Sequence, residues 1–325
     1  MPNKRILLTG AAGFVGSHVL RYLIENTDYD IVCVIRLKEA GDLNRLREFQ
    51  QNERVSFIYH DLKYEMHAGI REKIGNVDYI LHLAANSNVD RSITHPREFF
   101  EDNVLGTVSL LEFMRLHQPK ARFINFSTDE VYGPAPEGYK FTEEDRFRPS
   151  NPYSGSKVGQ FGAGYSYFNT YGLDIINTFT MNIFGPEQAP TKLIPKAIRF
   201  AKERKPMPVF AELEGDRLVS VGKRHWLEVS NVGEALVFLL EKGVAGELYN
   251  IVGTDELSNE DVVNAVNELL GTEPLVEYVD FHKTRPGHDR RYAIDGTKLK
   301  ELGWEPSLGF KEGIGRLIEL EKCAA

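Results

Sequence analysis

Arg5-Ile6-Leu7-Leu8-Thr9-Gly10-Ala11-Ala12-Gly13-Phe14-Val15-Gly16 is a short apolar run, a loop with glycines at three fixed spacings, and the beginning of a new periodicity. The first five residues predict a buried strand. Val19, Leu20 and Leu23, which follow the loop, recur at helical spacing and predict an amphipathic helix. A glycine-rich turn between a strand and a helix brings backbone N–H groups and a helix N-terminus close to a pyrophosphate, because no Cβ stands in the way. The stretch predicts a dinucleotide site with Gly10, Gly13, Phe14, Val15 and Gly16 at the phosphates.

Downstream, short apolar runs alternate with longer amphipathic stretches: 31–35, 55–59, 79–83, 122–126 and 175–179. This rhythm predicts an α/β fold, a Rossmann-type doubly wound parallel sheet whose ligands gather at the C-terminal ends of the strands. Each run ends in small or polar residues, among them Arg36, His60-Asp61-Leu62, Ala84-Ala85-Asn86 and Met181-Asn182. Beyond residue 182 the rhythm loosens. Prolines fall at 186, 190, 195, 206 and 208, and a charged, strand-rich segment runs to about Leu227. The expected organisation is a dinucleotide-binding unit over 1–180 and a smaller substrate-binding unit over 181–325, with segments interleaved back into the first.

The run ending at Phe126 leads into Ser127-Thr128-Asp129-Glu130-Val131-Tyr132-Gly133. Two adjacent carboxylates after a strand can serve as proton donor and proton acceptor to neighbouring carbons if their surroundings separate their pKa values. By itself the pair is also an ordinary solvated turn. Tyr153-Ser154-Gly155-Ser156-Lys157 then sets a phenol and an ammonium four residues apart, on one helix face. Four ionisable groups are thereby expected in one cleft.

Composition narrows the partners. Hydrophobic residues make up 42 % and charged residues 26 %, a usage that supports a sizeable core, and 39 basic against 47 acidic residues disfavour nucleic acid and anionic membrane. The two cysteines, Cys33 and Cys323, imply no disulfide framework, so a reducing, cytoplasmic setting is expected. A strand begun at residue five leaves no room for a signal peptide, and no run approaches a transmembrane span.

Taken together, the glycine loop, Ser127 to Gly133, the YxxxK pair and Arg285-Pro286-Gly287-His288-Asp289 resemble the extended short-chain dehydrogenase/reductases, and within them the dTDP-glucose 4,6-dehydratases. Asn103-Val104-Leu105-Gly106-Thr107, Lys192-Leu193-Ile194-Pro195 and Tyr249-Asn250-Ile251 stand in the same order, and the likeness spans essentially the whole chain. The resemblance implies a hydro-lyase acting on dTDP-glucose or UDP-glucose. Tyr153 would take the O4 proton, its pKa lowered by Lys157, while Thr128 hydrogen-bonds O4. Glu130 would remove the C5 proton and protonated Asp129 would release the C6 hydroxyl as water. A nicotinamide cofactor stays bound and no metal takes part. Asn103 would support the lysine through water, and Arg36, Asp61, Leu62, Ala84 and Ala85 would line the cofactor. Asn182, Lys192, Leu193, Arg224, Asn250, Arg285 and His288 would hold the nucleotide sugar.

Three stretches depart from that pattern. Arg36 replaces the aspartate that accepts the ribose hydroxyls, leaving both NAD and NADP open; Asn86 and Asn88 replace Glu and His; and Arg224-His225-Trp226 replaces Arg-Asp-Trp. A 4-epimerase or decarboxylase of the same superfamily, and a non-catalytic dinucleotide sensor, are the alternatives. The helix carrying Tyr153 also contains Gly155, Gly159, Gly162 and Gly164. They predict close helix packing, either across a homodimer contact at Gly159 and Ala163 or against a bulky core in the same subunit.

Overall fold

The computed structural model describes residues 3–36, 41–280 and 290–323. Strand β1 (Arg5–Thr9) is followed directly by the glycine turn and helix α1 (Phe14–Asn26). Strands β2 (Asp30–Ile35), β3 (Val55–Tyr59), β4 (Tyr79–His82), β5 (Arg122–Thr128) and β6 (Ile175–Thr180) fall where the apolar runs lie. With β11 (Leu248–Ile251) they form a seven-stranded sheet in the order β11-β6-β5-β4-β1-β2-β3, every neighbouring pair parallel. The order reverses between β1 and β4, and the crevice at that switch point is where an open α/β sheet receives its ligand.

Alternation along β1 and β2 divides the core between the two faces of the sheet. Ile6, Leu8, Ile31, Cys33 and Ile35 pack with α1 and with α8 (Val229–Lys242). Leu7, Val32 and Val34 pack on the other face with α2 (Ala68–Ile74) and α5 (Gly106–His117). Between α2 and α5 the chain forms two short helices, α3 (Val89–Thr94) and α4 (Pro96–Phe100), and a wide π turn, Glu101–Leu105. Strands buried on both faces read as continuous apolar runs, which is why their positions were legible.

The chain beyond 182 forms two small sheets. Strand β10 (Lys223–Glu228) pairs with β7 (Asn182–Phe184), β12 (Asp255–Ser258) and β14 (Arg291–Tyr292). Strand β8 (Met207–Glu214) pairs with β9 (Arg217–Ser220) and β13 (Val276–Asp280). A third core lies beneath them, built from α7 (Leu193–Glu203), α9 (Asn259–Leu270) and the helix Phe310–Cys323. Among the described residues no helix is long and apolar enough to cross a membrane.

Helix α6 (Pro152–Tyr171) carries the four glycines. A Cβ on Gly159 would lie 2.8 Å from Val104 Cγ2, one on Gly155 3.6 Å from Phe100 Cζ, and one on Gly164 3.0 Å from Asn177 Oδ1. Gly159 therefore faces its own chain. The need for glycine at 159 arises within the chain: it admits the π turn against α6.

Close approach matters most at Gly16, where an added Cβ would sit 2.1 Å from Gly10 O. We expect Gly16→Ala to cost about 1–3 kcal/mol by overpacking and to lower the melting temperature. An unchanged melting temperature and unchanged dinucleotide binding would contradict this reading of the loop.

Candidate active site

Gly10 turns with φ +79°, and a Cβ there would lie 2.7 Å from Ala84 N, so the end of β1 fits against the end of β4 without side chains between them. The first turn of α1 is capped by Gly13 with no side-chain acceptor, so its N–H groups remain for an anion. Gly10, Gly13, Phe14, Val15 and Gly16 line one wall of a cleft of about 720 Å³. Arg36, Asp61, Leu62, Ala84 and Ala85 line its continuation, and Thr128, Tyr153 and Lys157 its floor. Bare backbone donors at one end and a phenol and amine at the other fit a nicotinamide dinucleotide.

Strand β5 ends at Thr128, whose Oγ1 accepts from Glu130 N at 3.4 Å and caps the single turn Asp129–Tyr132. Gly133 ends that turn at φ +78°; a Cβ there would meet Arg148 O at 2.3 Å. Asp129 is 3 % exposed. Its Oδ1 accepts from Thr128 Oγ1 at 3.3 Å, while Oδ2 is buried without a hydrogen-bond partner. Burial, reinforced by the Glu130 charge and only partly offset by Arg224, pushes this carboxyl up to about 8. At neutral pH Asp129 is a proton donor.

Asn151 and Ser154 form a reciprocal cap at the start of α6, and Asn151 Nδ2 also donates to Glu130 Oε2 at 3.4 Å. The cap of the tyrosine helix thus holds the second carboxylate. Burial and the Glu130 charge raise the Tyr153 phenol well above its ordinary value, against a hydrogen bond with Thr128 that lowers it. Lys157 Nζ donates to Phe126 O at 2.9 Å and to Gln160 Oε1. Burial brings it down to about 7. Lys157 thus spends hydrogen bonds on the strand carbonyl and Gln160, and the Thr128 hydroxyl favours the phenolate.

Asn103 sits behind the tyrosine helix. Fully buried in the π turn, it donates to Asn86 O at 3.0 Å and Ser156 Oγ at 2.8 Å and accepts from Asn86 N at 2.7 Å. It pins the loop after β4 to α6.

On the far wall, Lys192 lines the cleft beside Gln188, Ala189, Pro190 and Thr191. Arg224 Nη1 donates to Asn182 Oδ1 at 3.4 Å, which joins β10 to β7 next to Asp129. Leu193 opens α7 and packs on the third core. Asn250 overturns its assignment as a sugar-binding residue. It is fully buried, Nδ2 donates to Phe141 O and Asp295 O, and Oδ1 accepts from the Tyr132 hydroxyl. Its amide is consumed within the fold. Arg285 and His288 lie outside the described residues. Asp102, Asn151 and Gln160 were missed; they act through partners distant in sequence, and no local motif announces them.

The family model for GDP-mannose 4,6 dehydratase matches residues 7–317. An Escherichia coli dTDP-glucose 4,6-dehydratase is 39 % identical over 338 residues, covering 97 % of this chain and 92 % of the relative. The low-salt glycan biosynthesis protein Agl12 of Haloferax volcanii is also 39 % identical, covering 97 % of each chain. Among solved structures, the Streptomyces venezuelae dTDP-glucose 4,6-dehydratase DesIV, with NAD and dTDP bound, superposes with a TM-score of 0.86 at 33 % identity, covering 98 % of this chain and 97 % of that one. The Thermus thermophilus UDP-glucose 4-epimerase, in complex with NAD, also has a TM-score of 0.86, at 27 % identity, with 99 % of this chain and all of the other covered. With the fold and the Thr128 to Tyr153 geometry in agreement, this chain belongs to the GDP-mannose 4,6 dehydratase family and is similar throughout its length to the dTDP-glucose 4,6-dehydratases.

Proposed function

We propose that this protein is a nucleotide-sugar 4,6-dehydratase that converts dTDP-glucose, or UDP-glucose, to the 4-keto-6-deoxy sugar. The observation that carries the reading is the Asp129 carboxyl, 3 % exposed and with Oδ2 unpartnered, directly beside Glu130. An acid and a base on adjacent residues suit elimination across one carbon–carbon bond.

A nicotinamide dinucleotide, NAD or NADP, held in the cleft through the turnover supplies a hydride acceptor for C4 and a hydride donor for C6. The chain's own groups move the protons. Tyr153 accepts the O4 proton, with the Thr128 hydroxyl hydrogen-bonded to the same oxygen. Oxidation at C4 acidifies the C5 hydrogen, which Glu130 removes. Asp129 protonates the C6 hydroxyl as the C6–O bond breaks and water leaves. Asn151 holds Glu130 in place. Arg224, Lys192 and Asn182 serve the nucleotide diphosphate, for which a guanidinium fork is suited.

Residues 1–180 bind the dinucleotide and 181–325 mainly the nucleotide sugar. The working unit is a homodimer in the cytoplasm, with light scattering at micromolar concentration as the check on its mass. A 4-epimerase, the activity of the Thermus thermophilus neighbour, is the second reading; it would leave an acid and base beside C5–C6 without a use. Incubation with dTDP-, UDP-, CDP- and GDP-hexoses, followed by mass spectrometry, tests the proposal. Loss of one water from dTDP- or UDP-glucose is expected. A product of unchanged mass and inverted C4 would establish the epimerase instead.

A further inference from the structure

Arg36 follows β2 at the end of the cleft opposite Tyr153, a position from which an arginine ordinarily receives the 2′-phosphate of NADP. Here its fork is already engaged. Nη1 and Nη2 donate to Asp102 Oδ1 and Oδ2 at 2.8 and 2.9 Å, and Nη1 also reaches Asp61 Oδ1 and Oδ2 at 3.0 and 3.1 Å. Lys63 Nζ lies 3.9 Å from both carboxylates. Among the described residues, the two cations Arg36 and Lys63 face the two anions Asp61 and Asp102.

Burial makes this arrangement asymmetric. The Asp102 side chain is 3 % exposed, whereas Arg36 and Asp61 are 29 % and 26 % exposed. Asp102 comes from the π turn, Glu101–Leu105, that leads into α5. Arg36 could turn its Nη1–Nη2 fork to a phosphate only by abandoning a nearly buried carboxylate, and any approach by its remaining N–H groups would bring the dianion beside Asp61 and Asp102, which repel it. Breaking a buried pair from one side is strongly unfavourable. Asp61 retains lone pairs beyond those Arg36 uses, since a carboxylate offers about four acceptor sites. It can accept from hydroxyl groups but not from a phosphate.

Resting on the dinucleotide reading above, we infer that Asp102 is a specificity-determining residue: by holding Arg36 in a bidentate pair it makes the cleft select NAD over NADP. The choice lies in a residue 66 positions away from the arginine that carries the signal.

The test is a competition on the intact protein. Purified enzyme is incubated with equimolar, isotopically labelled NAD and NADP, freed of unbound nucleotide by gel filtration, and its bound label identified by mass. Wild type should retain NAD in roughly 10²-fold excess, the scale on which a broken buried pair weighs. Asp102→Asn, which keeps the shape and removes the charge, should raise the NADP share at least about tenfold by releasing Arg36. Arg36→Ala should not lower the NADP share. The proposal is overturned if wild type retains NADP as readily as NAD, or if Arg36→Ala abolishes NADP binding; both outcomes are readable even where Asp102→Asn fails to fold. An unmoved NADP share in a folded Asp102→Asn protein also overturns it. Recovery of neither nucleotide would remove the dinucleotide reading and this inference together, whereas recovery of NADP removes only the inference.

Discussion

Glu130→Gln and Asp129→Asn each lower the dehydration rate by about 10²- to 10⁴-fold, the usual contribution of a positioned acid or base, while C4 oxidation continues. The two variants fail at different protons. Without the Glu130 carboxylate the C5 hydrogen stays in place, so solvent deuterium does not enter C5 and reduced cofactor accumulates. With Asp129→Asn, C5 exchange persists and the C6 hydroxyl leaves slowly. Wild-type rates of both exchange and water loss in Glu130→Gln would remove the base assignment.

The same carboxyl sets a pH dependence. Asp129 must carry its proton, and burial holds that proton to about pH 8, so the dehydration rate falls as pH rises through 8. The stability consequence has the opposite sign to the usual carboxylate. A folded-state value raised from 3.8 to about 8 contributes stability that is complete below pH 4 and is lost as pH rises through 8. Asp129→Asn lacks this loss. Its melting temperature should match wild type near pH 4 and exceed it at pH 9. A variant less stable than wild type at pH 9 would show that the carboxyl is not buried in its acidic form.

Much of this was legible because the central sheet is buried on both faces. Its inner strands are therefore largely apolar, and even β3, at the sheet edge, spans the same residues, 55–59, in the sequence reading and in the structure. The glycine loop was legible because its spacing is local and its reason steric. The acid, base, phenol and amine were legible because each pair is adjacent or one helical turn apart. What the sequence concealed is pairing over distance. Nothing near Arg36 reveals that Asp102 neutralises it, nor does Tyr249-Asn250-Ile251 disclose that the Asn250 amide is spent on Phe141, Asp295 and Tyr132. A helix glycine such as Gly159 records only that something comes close, and the sequence did not name Val104, which the structure places there.

Tyr153→Phe should abolish turnover at its first step, with a loss of about 10³- to 10⁴-fold. The phenol is buried, its hydrogen bond with Thr128 favours the ionised form, and Glu130 opposes ionisation, so in the ligand-free protein it remains neutral at physiological pH. A base that is neutral at rest must give its proton up to solvent before it takes one from O4, and the Thr128 hydroxyl favours the phenolate that results by donating a hydrogen bond to it. Thr128→Val should therefore slow C4 oxidation as well, by about tenfold or more. Phenylalanine preserves the ring, its edge contact with Phe99 and the packing of α6, so stability should change by no more than about 1 kcal/mol. The diagnostic is the absorbance of reduced nicotinamide after one addition of substrate. Glu130→Gln should show a persistent rise because the hydride is taken and not returned, whereas Tyr153→Phe should show none. A rise in Tyr153→Phe equal to that in Glu130→Gln would mean that another group takes the O4 proton. Lys157, brought down to about 7 and held between Phe126 and Gln160, would then be the first residue to replace.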